Sequence, residues 1–320
     1  MKVAVIGAGG WGTALANVAA INDKDVALWV RRPEMAEKIK ETRENTDYLP
    51  GIKILDSIFI SPDMKQVVSG AKVVVMVVPA QAMRDVAKEA LKYIDKDTIV
   101  VSASKGLEIG SYCRMSEILK DYMPSKYKEN IAVLSGPSHA EEVAKNLPTA
   151  VVVASENREV AELVQDVFMN LFFRVYTNPD VKGVEIGGAL KNVIALATGI
   201  SDGLGYGDNT RAALITRGIV EIARLGVKLG ALPETFAGLS GIGDLVVTCN
   251  SQHSRNRRAG IQIGQGISPE QVVKSTKMVI EGIATTQAVV PMARKYDIEM
   301  PITEQVYAIL FERKKPIDAV

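Results

Sequence analysis

The first dozen residues narrow the possible folds more than anything that follows them. Lys2-Val3-Ala4-Val5-Ile6 is a short apolar run, Gly7-Ala8-Gly9-Gly10-Trp11-Gly12 follows it without a gap, and Thr13–Ala20 continues as a helix. This is G-x-G-x-x-G in its strand–turn–helix setting, and each glycine has a mechanical reason. Gly7 permits the tight turn, Gly9 lets a ligand approach the backbone, and Gly12 lets strand and helix pack closely. Free N–H groups at the helix start then face an anion. Without its setting the motif is weak evidence. Here it predicts a dinucleotide site around Gly7, Gly9, Gly10 and Gly12.

The pattern beyond the loop agrees with such a site. Candidate strands at Lys2–Ile6, Val26–Val30, Lys72–Val77, Thr98–Ser102, Ile131–Leu134, Ala150–Ala154 and Phe172–Tyr176 alternate with helical segments. Val73-Val74-Val75-Met76-Val77-Val78 is apolar at every position. That suits a parallel sheet buried on both faces and covered by crossover helices. After about Asn178 the strand-like runs thin out, and helices punctuated by glycine take over. The expected fold is therefore α/β. A Rossmann-like doubly wound domain spans residues 1–180, and a mostly helical domain that binds substrate and carries catalysis spans 181–320.

Composition excludes several classes of function. Lys+Arg total 38 and Asp+Glu 37, so there is no basic excess of the kind a nucleic-acid or acidic-membrane binder shows. Two cysteines and two histidines, with no C-x-x-C, argue against a disulfide scaffold and a zinc site, and no metal is expected. The longest apolar stretch, Val73 to Ala80, has 8 residues, whereas a bilayer span needs about 20. No signal-peptide pattern opens the chain. These features lead to the expectation of a cytoplasmic protein with a small-molecule partner, and twofold assembly is expected only because it is common.

Local motifs refine the picture. Arg31-Arg32 lie 19 and 20 residues after Gly12, where an NAD site often carries an acid for the ribose hydroxyl. Two guanidinium groups suit a 2′-phosphate instead, which favours NADPH and leaves NADH open; solvated arginines are the plain alternative. Lys105-Gly106 and Ser135-Gly136-Pro137-Ser138-His139-Ala140 each follow a strand. They place an ammonium and a possible hydroxyl or anion site at the sheet's carboxyl edge, though a surface lysine and a helix cap would read alike. In Glu185-Ile186-Gly187-Gly188-Ala189-Leu190-Lys191-Asn192, two glycines inside a helix cost about 1 kcal/mol each relative to alanine. Something should therefore approach that backbone closely, which makes Lys191 a candidate acid or base against the alternative of a snorkelling lysine. Ser254-Arg255-Asn256-Arg257-Arg258 is the densest positive cluster. With Ser254 capping the next helix it would form a phosphate site, and otherwise a solvated face.

The set of motifs resembles the bacterial-type NAD(P)-dependent glycerol-3-phosphate dehydrogenase family. The likeness runs through Gly7–Ala16, Tyr48-Leu49-Pro50-Gly51, Ser104-Lys105-Gly106-Leu107-Glu108, Ser135–Ser138, Gly187–Val193, Gly241-Ile242-Gly243-Asp244-Leu245, Ser254–Arg258 and Met300-Pro301-Ile302-Thr303. The resemblance implies reduction of dihydroxyacetone phosphate to sn-glycerol 3-phosphate for phospholipid synthesis, with Lys191 as proton donor and acceptor. It implies that Lys105, Gly136, Ser138, Asp244, Ser254, Arg255 and Asn256 join Lys191 around the substrate. Trp11, Arg31, Arg32, Lys105, Ala140, Arg255, Val279 and Glu281 would join the glycine loop around NADPH. Lys105 and desolvation should lower the Lys191 pKa while Asp244 raises it. A related hydroxyacid or phosphogluconate dehydrogenase, and a non-catalytic NADPH sensor, are the competing readings.

Overall fold

The computed structural model describes residues 1–276 and 278–319. The chain forms two compact units. The first comprises Met1–Val78, Ala82–Ser104 and Met115–Val181; the second comprises Pro79–Gln81, Lys105–Arg114 and Lys182–Val320. The sequence predicts a single cut at 180/181. In the structure two short segments from the first half also belong with the second unit, including the one that starts at Lys105.

The first unit is α/β. Its strands are β1 (Lys2–Ile6), β2 (Asp25–Trp29), β3 (Glu44–Asn45), β4 (Leu49–Lys53), β5 (Phe59–Ser61), β6 (Val73–Met76), β7 (Ile99–Ser102), β8 (Ile131–Ser135), β9 (Thr149–Ala154) and β10 (Phe173–Asn178). Its helices are α1 (Gly10–Ile21), α2 (Pro33–Thr42), α3 (Met64–Val68), α4 (Met83–Ala90), α5 (Met115–Tyr122), α6 (Ala140–Val143) and α7 (Arg158–Phe168). Eight strands make one sheet in the order β10-β9-β8-β7-β6-β1-β2-β5, and β3 and β4 form a separate antiparallel pair. Every residue of β6, β7 and β8 is buried, as expected for strands covered on both faces. The chain leaves β1 for β2 on one side and later returns to β6 on the other, so the carboxyl end of β1 is a topological switch point. Ligands bind at such points in open α/β sheets, and the glycine loop starts there.

The sheet is not wholly parallel, as the apolar runs had suggested. β8 and β9 pair antiparallel, and β10 follows β9 in parallel. Between β8 and β9 the regular structure is a single four-residue helix, α6, which is too short for the helical crossover that normally returns a chain to a parallel start. A strand buried on both faces carries no alternation that would reveal its direction. β5, with three residues, is likewise too short to show a period.

The second unit is helical: α8 (Val181–Gly203), α9 (Asp208–Lys228), α10 (Asp244–Asn250), α11 (Arg255–Gly264), α12 (Pro269–Lys274), α13 (Glu281–Lys295) and α14 (Pro301–Phe311). By length and hydropathy α8 could cross a bilayer, yet its apolar window is 100% buried inside the protein. A helix apolar on all sides belongs at the centre of a bundle. Glycines decide what packs on it. Gly199 and Gly203 face Gly260 and Gly264 of α11, and a Cβ on Gly199 or Gly203 would stand 2.9 Å from the opposing glycine Cα. The two helices run in the same direction at backbone contact, and this carries the start of α11 toward Asn192.

Candidate active site

The glycine loop has the geometry its sequence requires. Gly7 has φ +119°, and a Cβ there would run into the Val77 carbonyl; a Cβ on Gly12 would run into the Gly7 carbonyl. At Gly9, by contrast, nothing lies within 4 Å of the Cβ position, so the backbone is open to a ligand. Gly9 is the N-cap of α1 and offers no side-chain cap, which leaves the first N–H groups of that helix without an internal acceptor. An open backbone and an uncapped helix start fit the pyrophosphate of a dinucleotide. Trp11 packs at the same loop against Phe173 with ring centroids 6.4 Å apart, and its indole Nε1 is buried without a partner. Ala140 lies 3.6 Å from the Cβ position of Gly10.

Arg31 is exposed and Arg32 half-buried just beyond β2. Arg32 Nη2 lies 3.0 Å from Asp47 Oδ2. Gly136, with φ +136°, sits where a Cβ would come within 2.9 Å of Val151 Cα. Ser138 Oγ donates to the Gly136 carbonyl at 3.0 Å, and the α6 N-cap is His139 rather than Ser138.

In the second unit the buried centre is a cluster of two lysines and one carboxylate. Lys191, on α8, is 7% exposed and Asp244 only 1%. Lys191 Nζ donates to Asp244 Oδ1 and, at 2.8 Å, to Thr248 Oγ1. Lys105 Nζ donates to the other carboxylate oxygen, Asp244 Oδ2, at 2.6 Å. The ammonium of Lys191 does not snorkel to water. The predicted close approach to its helix is present: a Cβ on Gly187 would stand 2.5 Å from the Ser240 carbonyl oxygen. Ser240 lies in the π-type turn Leu239–Gly243 that leads into α10, and Asp244 is the first residue of α10. The missing side chain at position 187 therefore lets this turn, and the carboxylate after it, settle against α8.

The charges in this cluster are shifted by their surroundings. Burial pulls Lys191 down to about 7, against the attraction of Asp244, while repulsion from Lys105 adds to the lowering. Burial alone would push Asp244 up, but the two ammonium groups, Lys105 first, outweigh it and hold the carboxyl below its usual range. At neutral pH Lys191 is thus poised to give or take a proton beside a fixed negative charge.

The Ser254–Arg258 motif divides. Ser254 is the N-cap of α11, its Oγ accepting from Arg257 N at 3.2 Å. Asn256 Nδ2 donates to Asn192 Oδ1 at 2.8 Å, and Asn256 Oδ1 accepts from Gly282 N at 2.9 Å. Arg255 is exposed and reaches the Val279 carbonyl at 3.3 Å. Arg257 turns to Asp202, with Nη2 2.7 Å from Oδ2, so its guanidinium is held by that carboxylate and does not join Arg255. Glu281 Oε1 accepts from Ala80 N at 3.1 Å, while Oε2 and the nearby Thr285 Oγ1 are buried without partners. Burial raises the Glu281 carboxyl to about 7 despite the Ala80 N–H and the charge of Arg255.

Sequence reasoning did not single out Thr248, Asp47 or the Asn192–Asn256 pair. Thr248 lies one helical turn after Asp244 on α10, whose seven residues follow a glycine-rich turn and give no periodic signal. Each of the other contacts joins residues distant in sequence and has no local signature.

Comparison with known proteins identifies the family. The family profile for the NAD-dependent glycerol-3-phosphate dehydrogenase N-terminus matches residues 2–161, and that for the C-terminus matches residues 180–320. Glycerol-3-phosphate dehydrogenase [NAD(P)+] of Moorella thermoacetica is 55% identical over 319 residues, covering 100% of this chain and 94% of the relative. The Bacillus velezensis protein of the same name is 53% identical, covering 100% and 92%. The crystal structure of glycerol-3-phosphate dehydrogenase from Coxiella burnetii superposes with a TM-score of 0.93 at 40% identity, covering 99% of this chain and 97% of that one. With both profiles matched along nearly the whole chain and relatives more than half identical, the chain belongs to the NAD-dependent glycerol-3-phosphate dehydrogenase family.

Proposed function

We propose that this protein interconverts dihydroxyacetone phosphate and sn-glycerol 3-phosphate, using NADPH in preference to NADH, with Lys191 as the proton donor and acceptor. The carrying observation is the buried Lys191 ammonium, bound to Asp244 and Thr248 and lowered to about 7. When bound, the reduced cofactor supplies the hydride that converts the ketone carbon to an alcohol carbon. The protein must handle the negative charge that develops on the ketone oxygen. Lys191, as an ammonium, stabilises that charge and delivers a proton to the oxygen; in the reverse direction the neutral amine takes the hydroxyl proton. Asp244 holds both lysines and sets their orientation. Lys105, fixed by the second carboxylate oxygen, adds a positive charge beside the reacting group.

Lys105, Asp244, Ser254, Arg255 and Asn256 are the second unit's candidates for holding the substrate. Ser254 and the start of α11 offer N–H groups and a helix dipole to a phosphate, and exposed Arg255 offers a guanidinium. Binding energy from a phosphate remote from the reacting carbon would position that carbon. The open glycine loop, Arg31 and Arg32 of the first unit support the nucleotide half of the reading, as does Arg255 of the second, which contacts the Val279 carbonyl and acts on Glu281 through its charge. Supply of glycerol phosphate for phospholipid synthesis belongs to the same reading. So does a cytoplasmic location, which the low thiol content supports. A homodimer is the assembly expected on general grounds.

The test is oxidation of NADPH by the purified protein with dihydroxyacetone phosphate, beside an NADH control and the unphosphorylated ketone. Rapid oxidation that needs the phosphate, faster with NADPH, supports the proposal. Tight NADPH binding without turnover would overturn the substrate assignment and leave a nucleotide-binding protein.

A further inference from the structure

The partner of Arg32 is an acid delivered from a different part of the chain. Arg32 Nη2 and Asp47 Oδ2 are 3.0 Å apart, and the two side chains are 43% and 41% exposed. The segment carrying Asp47 is stitched to the glycine loop. Asn45 Nδ2 donates to the Ala8 carbonyl and to Thr13 Oγ1, each at 2.9 Å, and Asn45 is 1% exposed. The Tyr48 carbonyl oxygen lies 2.8 Å from the Cβ position of Gly10. On the other side, Lys38 Nζ of α2 donates to Thr46 Oγ1 at 2.8 Å. Asp47 therefore sits on a turn fixed both to the dinucleotide loop and to the helix that follows Arg31-Arg32.

From this arrangement we infer that Asp47 is a specificity-determining residue, an acceptor for the ribose 2′-hydroxyl of NADH and a competitor of the NADPH 2′-phosphate for Arg32. The inference rests on the reading above, in which the adenosine ribose lies at Arg31-Arg32. Many NAD sites of this fold place an acid at the end of the second strand to bind the ribose. Here two arginines occupy that end, and the acid comes from the Asn45–Tyr48 turn instead. An exposed ion pair is held weakly and exchanges readily. A phosphate dianion is a strong bidentate acceptor for a guanidinium, so it can take Arg32 from Asp47, but it must then tolerate the carboxylate beside it. A neutral 2′-hydroxyl can instead donate to Asp47 while the ion pair stays intact. One guanidinium and one carboxylate thus accommodate either cofactor, and the carboxylate limits how strongly NADPH is preferred.

Binding rather than turnover tests the inference. Dissociation constants for NADPH and NADH are measured on the wild type, Asp47→Asn, Asp47→Ala and Arg32→Ala by nicotinamide fluorescence. Adenosine 2′,5′-bisphosphate and AMP are measured by calorimetry as probes that lack nicotinamide. Asp47→Asn should weaken NADH and tighten NADPH, widening the preference for NADPH by roughly tenfold. Asp47→Ala should move it the same way, the two adenosine probes should follow, and the widening should shrink at high salt. A preference within about twofold of the wild type in both Asp47 variants, or a shift toward NADH, would overturn the inference. If Arg32→Ala still weakens NADPH in that case, the cofactor placement stands and only the role of Asp47 fails. If none of the variants changes any affinity, the placement of the ribose at Arg32 fails with it.

Discussion

Lys105 Nζ stands 2.6 Å from Asp244 Oδ2, on the carboxylate oxygen opposite the one that Lys191 holds. One buried negative charge thus serves two ammonium groups, and its removal should be felt in both chemistry and folding. In Asp244→Asn the attraction that raises Lys191 disappears while burial and Lys105 still lower it. Less of Lys191 is then protonated at pH 7, and dihydroxyacetone phosphate reduction should fall by about 100-fold or more. Breaking a buried pair by removing one partner costs roughly 3 kcal/mol, measurable by urea denaturation. The Asp244 carboxyl is held below its ordinary 3.8, so its contribution is complete above that value and is lost as pH falls through the lower folded value. The stability gap between wild type and variant should widen as pH falls below 7, because the variant keeps Lys191 neutral there while the wild type does not, and should narrow again below about 4 as Asp244 protonates. Equal stability at neutral pH would mean that the charge is not needed for folding.

Lys191→Met keeps the bulk of the buried stem and removes the proton. Asp244 retains Lys105 as a partner, so the protein should stay folded. Turnover should fall by about 10³-fold, within the range that general acid–base groups supply, while the NADPH dissociation constant changes by less than about threefold. Turnover comparable to wild type would exclude Lys191 as the proton donor.

With Lys191 at about 7, the two directions of reaction should have opposite pH profiles. Reduction needs the ammonium, so kcat/KM for the ketone should fall above pH 7. Oxidation of glycerol 3-phosphate needs the free amine, so it should rise through the same range and level off above it. Glu281 also lies at about 7 and must be separated. In Glu281→Gln the inflection should persist; its disappearance would assign the titration to Glu281.

What was legible in the sequence was what a local rule dictates. The glycine loop stood out because Gly7 needs a positive φ and Gly12 a close backbone contact, and no other residue type meets both demands. Lys191 stood out because a charged residue on an apolar helix beside two glycines breaks the pattern around it. Asp244 drew attention only through family resemblance, since no period marks a seven-residue helix. Arg257 was read with a phosphate cluster because its partner Asp202, 55 residues earlier, is invisible to local spacing. The antiparallel turn into β9 was hidden for a related reason: a strand buried on both faces reads the same in either direction.

The glycine at position 187 should matter to catalysis, although it can touch no proton. Its missing side chain lets the Leu239–Gly243 turn rest on α8, and Asp244 follows that turn directly. In Gly187→Ala the new Cβ would meet the Ser240 carbonyl oxygen at 2.5 Å. That oxygen belongs to the backbone, so the turn and helix must separate, at a cost of about 1–3 kcal/mol in stability. The separation should move Asp244 away from Lys191, and a shift near 1 Å in a catalytic group can cost about 100-fold in rate. The expected result is a folded protein with a lower melting temperature, a kcat reduced by between about 10- and 100-fold, and NADPH affinity unchanged. A variant that melts lower but turns over normally would show that the carboxylate keeps its place without this contact, and the helix–turn approach would then matter for packing alone.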